Sequence, residues 1–242
     1  MLTIEKTVLP SPEQWEIIIE GMRNPMNSWD KMDSTTCYGE GEPSSCIDCP
    51  KYGCPRVFGD DFLEDFYCIG DADHALMTKL AAGGAVHAKY RRMIPVWVTI
   101  NAPMFWWKEF DTYKIGTVTN SCSTMHKIHS KPIELSDFSI DNFQMEYLDD
   151  ELDLNDLFIN VVYDCEELRR KFIETGDKKY WKGLIELLPM GYNQKRTVML
   201  NYEVLVNIYK WRRNHKLDEW HTFCDWIEGL PYADLIVGGD DD

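Results

Sequence analysis

Residues 93–107 (MIPVWVTINAPMFWW) form the most apolar run of the 242-residue chain, and the order of residue types within it narrows the choice of fold. Val96, Val98 and Ile100 alternate with Trp97 and Thr99, the period-two pattern of a strand over 94–101. Pro103 then opens a helix through Met104, Trp107 and Phe110. Thr99, Asn101 and two prolines interrupt the run, which is also shorter than the roughly 18 to 20 residues that cross a bilayer, so no membrane span is expected.

Other signals place helices on both sides of this strand. Residues 2–9 read as a short strand, followed by Ser11-Pro12-Glu13-Gln14, a capping box with proline at the first helical position. Trp15, Ile18, Ile19 and Met22 recur at helical spacing over 12–24. A helix over 74–82 should end at a left-handed cap on Gly83-Gly84, with a second helical stretch running to Arg92. Residues 116–123 (GTVTNSCS) are small and polar and read as a loop, and 136–154 as an acidic solvated strip.

The C-terminal third reads as helical. Asp164 with Glu167 resembles an N-terminal box and Gly176 a stop, and a helix over 178–188 ends at Pro189. Residues 197–214 suggest a long amphipathic helix (Leu200, Val204, Ile208, Trp211), and another spans 218–228 before Gly229 and Pro231. The expected fold class is therefore α/β (α+β): one domain over 1–242 with a helix-rich C-terminal third, a Cys-rich insertion at 30–60 and a frayed tail at 238–242.

Charge excludes some functions. With 25 Lys+Arg against 41 Asp+Glu the formal charge is −16, which repels a phosphate backbone over most of the surface, so non-specific nucleic-acid binding is not expected. A pocket with two or three local arginines could still hold one nucleotide. Residues 1–10 contain Glu5 and lack a continuous apolar stretch, which points to a cytoplasmic protein with reduced cysteines.

Four of the eight cysteines, Cys37, Cys46, Cys49 and Cys54, fall in a structureless excursion from Asn24 to Gly59, with a C-x2-C pair at its centre. Four thiolates there suit a tetrahedral structural zinc that would order the loop; the alternative is four reduced thiols, some of them buried. Cys68, Cys122, Cys165 and Cys224 read as core residues. Residues 121–126 (SCSTMH) combine hydroxyls, a thiol and an imidazole, but without an aspartate or nucleophile-elbow glycines they give little support to a hydrolytic triad. Arg91-Arg92 and Arg212-Arg213 read first as solvated pairs.

The order of segments resembles the flavin-dependent thymidylate synthases. Gly84 to Arg92, the strand 94–101, the helix from Pro103 and the loop to Ser123 follow the family's order with nearly ungapped spacing. Leu188-Pro189, Asn201-Tyr202-Glu203, Arg212-Arg213 and Glu219-Trp220 resemble its closing segment, so the likeness covers about 74–228. The family's signature reads Arg-His-Arg, two residues, Ser, one residue, Asn-Glu, one residue, Ser, one residue, Arg-Tyr. Laid over this chain, its second serine falls on Ser123 and its asparagine on Asn120. Its Arg-His-Arg falls on Tyr113-Lys114-Ile115, its first serine on Val118 and its Arg-Tyr on Met125-His126, so most signature side chains are replaced.

The resemblance implies a flavin-assisted one-carbon transfer to carbon five of a deoxyuridine monophosphate, with FAD as cofactor and NADPH and folate as cosubstrates. It implies Ser123 as the catalytic group beside the pyrimidine, substrate contacts from Arg92, Asn120, Ser121 and Arg212 or Arg213, and cofactor contacts from Lys114 and Asn201. It further implies a homotetramer with sites shared between subunits. A member this divergent is of the kind a phage or mobile element carries. Two rival readings follow from the same residues. The lost signature arginines suit a catalytically inactive nucleotide-binding or assembly module, since Tyr and Ile do not replace a guanidinium. The Cys-rich loop and acidic surface suit a zinc-stapled protein-interaction module.

Overall fold

The computed structural model describes residues 1–37, 66–140 and 154–238. Its elements in chain order are β1 (Thr3–Val8), α1 (Pro12–Arg23), β2 (Thr35–Cys37), β3 (Phe66–Cys68), α2 (Asp71–Ala82), β4 (Pro95–Pro103), α3 (Met104–Phe110), β5 (Val118–Ser121), α4 (Leu154–Thr175), α5 (Lys178–Leu187), β6 (Asn193–Asn201), α6 (Tyr202–Arg212), α7 (Asp218–Glu228) and α8 (Asp234–Val237). A four-stranded sheet has the order β1-β4-β6-β5, and β2 pairs antiparallel with β3 in the register Thr35↔Cys68. Mixed α/β architecture with a helix-rich C-terminal third is as expected.

Several local expectations hold for the reason given. Ser11 Oγ accepts from the Gln14 backbone N–H while Gln14 Oε1 accepts from the Ser11 N–H, closing the capping box of α1. The strand and following helix in 93–107 are β4 and α3, with Pro103 as the N-cap. Gly84, rather than Gly83, takes the left-handed backbone after α2, and the stretch to Arg92 ends as a 3-10 turn over Lys89–Met93.

Other expectations are corrected. Residues 197–201 belong to β6, because Gln194, Val198 and Leu200 are buried on alternate positions; the helix begins only at Tyr202 and leaves Trp211 exposed. Residues 118–121 of the expected loop are β5, an edge strand with all four residues exposed. Asp164 and Glu167 lie inside the 22-residue α4 and start no helix. Cys68, Cys165 and Cys224 are buried as expected, but Cys122 is exposed. Burial pushes the Cys165 and Cys224 thiols up to about 11 and keeps them protonated. Cys46, Cys49, Cys54, residues 141–153 of the acidic strip and residues 239–242 of the tail lie outside the described residues.

The chain divides into two compact units. The first comprises Met1–Lys6, Thr99–Thr112 and Thr119–Val198. Its core joins Ile128, Ile133 and Phe138 to Val162, Cys165, Leu184 and Tyr192. Glu166 on α4 takes both Nε and Nη2 of Arg169 at 2.7 Å and the Ile133 N–H at 2.9 Å.

The second unit comprises Thr7–Val98, Tyr113–Val118 and Met199–Asp242. Trp15 of α1 meets Tyr202 and Tyr232 edge-on, with ring centroids 6.4 and 5.7 Å away. Asp73 on α2 is fully buried and four donors converge on it: Arg23 Nε, the N–H groups of Asp33 and Ser34, and Ser34 Oγ. Asp33 in turn accepts from the N–H groups of Ala72 and Asp73, capping α2 from elsewhere in the chain. Gly70 permits this approach, since a Cβ there would lie 2.2 Å from the Asp33 carboxyl carbon.

Two outcomes follow. Asp73→Ala leaves Arg23 buried without its counter-charge and should cost about 3–5 kcal/mol, read as a lowered urea midpoint, whereas Asp225→Ala on the exposed face of α7 should cost about 1 kcal/mol or less. The Arg169 hydrogen bonds, aided by the Ile133 N–H and partly opposed by burial, hold the Glu166 carboxyl below its ordinary value of 4.5. Its contribution is present above about pH 4.5 and fades as pH falls through the lower folded value. Glu166→Gln should therefore flatten the acid limb of a melting-temperature against pH curve; an unchanged limb would show that Glu166 does not contribute to it.

Candidate functional site

In the first unit the loop after β5 is held onto β6. The Cys122 N–H donates to Lys195 O at 2.9 Å, and Gln194 Nε2 donates to Cys122 O at 2.8 Å. Asn120 and Ser121 end the exposed strand, and Ser123 is exposed just beyond, its Oγ accepting from the His126 N–H at 2.9 Å. That bond folds residues 123–126 into a serine turn. The Ser123 Oγ is thus engaged by the His126 backbone amide as an acceptor. The indole N–H of Trp181 donates to Met125 O at 2.9 Å and fixes the far side of the turn. Asn120, Ser121 and Ser123 are thus brought together by one strand end and one turn.

Arg196 was not singled out from the sequence, although it sits beside this loop's anchor. Its Nε donates to Gln194 Oε1 at 2.9 Å, its Nη1 meets Asp111 at 2.7 Å, and its guanidinium stacks 4.3 Å from the Trp107 ring centroid. Trp107 completes the cluster by donating its indole N–H to Gln194 O at 2.8 Å. The missed signal was the period-two burial of β6, which puts Gln194 and Arg196 on one face.

In the second unit the two late arginines separate. Arg212, the last residue of α6, donates from Nε to the Tyr113 hydroxyl at 2.9 Å and lies 4.7 Å over the Trp220 ring. Arg213 is spent on the acidic face of α7, meeting Asp225 at 2.5 Å and Glu228 at 3.2 Å. Arg92 is exposed, its Nη2 3.5 Å from Ala85 O. Lys114 is exposed two residues before Gly116. Gly116 has φ +78°, and a Cβ there would lie 3.0 Å from a Val204 methyl and 3.2 Å from Asn201 Nδ2. Gly116 therefore packs on the start of α6, and among the described residues nothing joins the exposed Lys114 to Asn201. The Asn201 carboxamide oxygen is used as the N-cap of α6, accepting from the Val204 N–H at 3.1 Å. Cys37, at the end of β2, is the one proposed metal ligand among the described residues; no group of three or more His, Cys, Asp or Glu side chains there is arranged to hold a metal.

The fold is that of the flavin-dependent thymidylate synthases. A crystal structure of thymidylate synthase X (ThyX) from Helicobacter pylori with FAD and dUMP matches it with a TM-score of 0.57 at 14% identity, covering 98% of this chain and 95% of that one. A second structure of flavin-dependent ThyX from Helicobacter pylori, complexed with FAD and dUMP, gives 0.54 at 13% identity, with coverages of 98% and 96%. No family model and no curated protein sequence matches the chain. Among the described residues no helix is long and apolar enough to cross a membrane.

The Arg196 cluster yields its own outcome. Arg196→Ala removes the stack on Trp107 and the bond to Gln194, and should cost about 1–3 kcal/mol, read by chemical denaturation. A cost near zero would show that the loop after β5 is held without it.

Proposed function

We propose that the chain carries out flavin-dependent one-carbon transfer to carbon five of deoxyuridine monophosphate. The observation that supports this best is a fold match over nearly the whole chain to enzymes crystallised with FAD and dUMP. The residues present are compatible with such ligands. In the second unit, Arg91 carries buried N–H groups and Thr117 a buried hydroxyl that meet no hydrogen-bond partner among the described residues, groups of the kind a polar heterocycle satisfies. FAD reduced by NADPH would supply the reducing equivalents, and a folate the carbon.

The remaining roles belong to this chain's own side chains. Arg212, oriented by Tyr113 and Trp220, is the candidate for the nucleotide phosphate, because a guanidinium stacked on an aromatic ring is held in a fixed plane suited to bidentate phosphate recognition. Ser123, fixed by its turn, would hydrogen-bond the pyrimidine, with Asn120 and Ser121 beside it. Lys114 and Asn201 would lie toward the cofactor. The tetramer of the family would let one subunit complete the site of another. A second reading, a nucleotide-binding module without redox chemistry, is favoured by the signature positions themselves. Tyr113 is bonded to Arg212, and Ile115 is 92% exposed, where the family carries arginines.

Calorimetric titration with dUMP discriminates among the arginines. Arg212→Ala should weaken binding about tenfold or more, the scale of a lost charge-assisted bond, while Arg213→Ala should leave it within about twofold. The reverse order would move the phosphate site to Arg213. Ser123→Ala should lower turnover about a hundredfold with unchanged circular dichroism, and Ser121→Ala should be milder. Equal turnover in Ser123→Ala and the unaltered protein would reduce that serine to a turn residue. Should Cys37 and its three partners bind zinc, the purified protein carries close to one zinc per chain and a chelator lowers its melting temperature.

A further inference from the structure

Arg91 lies in the turn before β4 and is only 4% exposed, yet among the described residues its Nε and Nη2 meet no hydrogen-bond partner. A guanidinium cannot shed its charge inside a protein, so the desolvation of these N–H groups goes uncompensated. Three further buried polar atoms of the same unit share that condition: Arg23 Nη2 at the end of α1, and, on segments adjoining the Arg91 turn, Glu203 Oε2 in the first turn of α6 and Thr117 Oγ1. Such groups are few in folded proteins, and three on neighbouring segments call for a common explanation.

The backbone brings these segments together. The Tyr202 N–H donates to Ile94 O at 3.1 Å, tying the residue before Glu203 to the end of the Arg91 turn. Gly116 abuts Asn201 and Val204, which puts Thr117 against the same first turn of α6. Tyr90, which donates its hydroxyl to Met77 O at 2.9 Å, reports both charges. Burial pushes this phenol up to about 12; Arg91 pulls it down through its charge and a hydrogen bond, and Asp234 and then Glu203 raise it further.

The donor and acceptor set restricts what would satisfy it. Arg91 offers two parallel N–H groups and Glu203 an acceptor, and their formal charges cancel. A phosphate or carboxylate would be repelled by Glu203, whereas a neutral ring that presents a carbonyl next to an N–H would meet both. We propose that Arg91, Glu203 and Thr117 receive the imide edge of a neutral heterocycle, with Arg91 donating to its carbonyl and Glu203 accepting from its ring N–H. The inference rests on the function proposed above, which brings two such edges to the protein: the uracil ring of dUMP and the pyrimidine end of the flavin ring system.

Methylation of the ring nitrogen tests this on the unaltered protein. Affinities are measured by calorimetry for dUMP, N3-methyl-dUMP, FAD and N3-methyl-FAD. The ring read by Glu203 should lose about tenfold or more on methylation, while methylation of the other ring changes little, which tells the two sources apart. Glu203→Gln and Arg91→Met should weaken that same ligand, and Arg91→Met should not lower the melting temperature of the ligand-free protein, because it removes an unsatisfied buried charge. If dUMP or FAD binds but neither methylated form is weaker, the imide receptor is wrong while the binding function stands. An Arg91→Met protein that melts lower but binds both ligands normally overturns it too, since Arg91 would then be structural. If neither dUMP nor FAD binds, the proposed function falls and the receptor with it.

Discussion

Burying Asp73 imposes a condition that organises the second unit. An ionised carboxylate removed from water must find replacements for its hydration, and this one finds Arg23, two backbone N–H groups and the Ser34 hydroxyl. Meeting that demand fixes the end of α1 against α2 and draws residues 33–34 onto the helix start. Asp33 then returns the favour to α2 by capping its first turn, and Gly70 is needed to let it in. One side chain thus sets the positions of the segments that lead into and out of residues 38–65. The α1 anchor also holds Trp15 against Tyr202, the residue at which β6 gives way to α6.

That junction carries the candidate chemistry of the second unit. Asn201 ends a strand and caps a helix, so the two buried periodicities meet at one residue, and Glu203 and Val204 enter the interior at once. The same helix ends at Arg212 and Arg213, which diverge because successive residues on a helix point about 100° apart. One then stacks between Tyr113 and Trp220, and the other faces the carboxylates of α7.

Much of this was legible in the residues, and what was not has a physical cause. The capping box at Ser11, the alternation of 94–101 and the proline start of α3 depend on neighbours in sequence, and they read correctly. The helix assigned over 197–214 failed at its first turn because Leu200 satisfies both a period of two and the helical spacing to Val204, and only the sheet decides between them. The strand β5 was hidden by small polar residues, since an exposed edge buries no face and so has no pattern. The Asp164–Glu167 box failed because two acids on a helix surface look alike at its start and in its middle. Of the site, Ser123 and the choice between Arg212 and Arg213 were named only through a family resemblance over about 74–228, and the fold agrees with that family's. Arg196 and Glu203 were not visible as site residues, and Arg91 read as solvated whereas it is buried, because their significance lies in what they meet or fail to meet in three dimensions.

The central claim is a chemical one, and it is tested by following the transferred carbon. Purified protein is supplied with FAD, NADPH, dUMP and methylenetetrahydrofolate labelled on its one-carbon unit, and the nucleotide is recovered for mass spectrometry. The account predicts labelled thymidylate, formed only when flavin and the folate are both present. Unlabelled dUMP recovered from a protein that has demonstrably bound both flavin and nucleotide would contradict it, and would leave a binding module on an enzyme's fold.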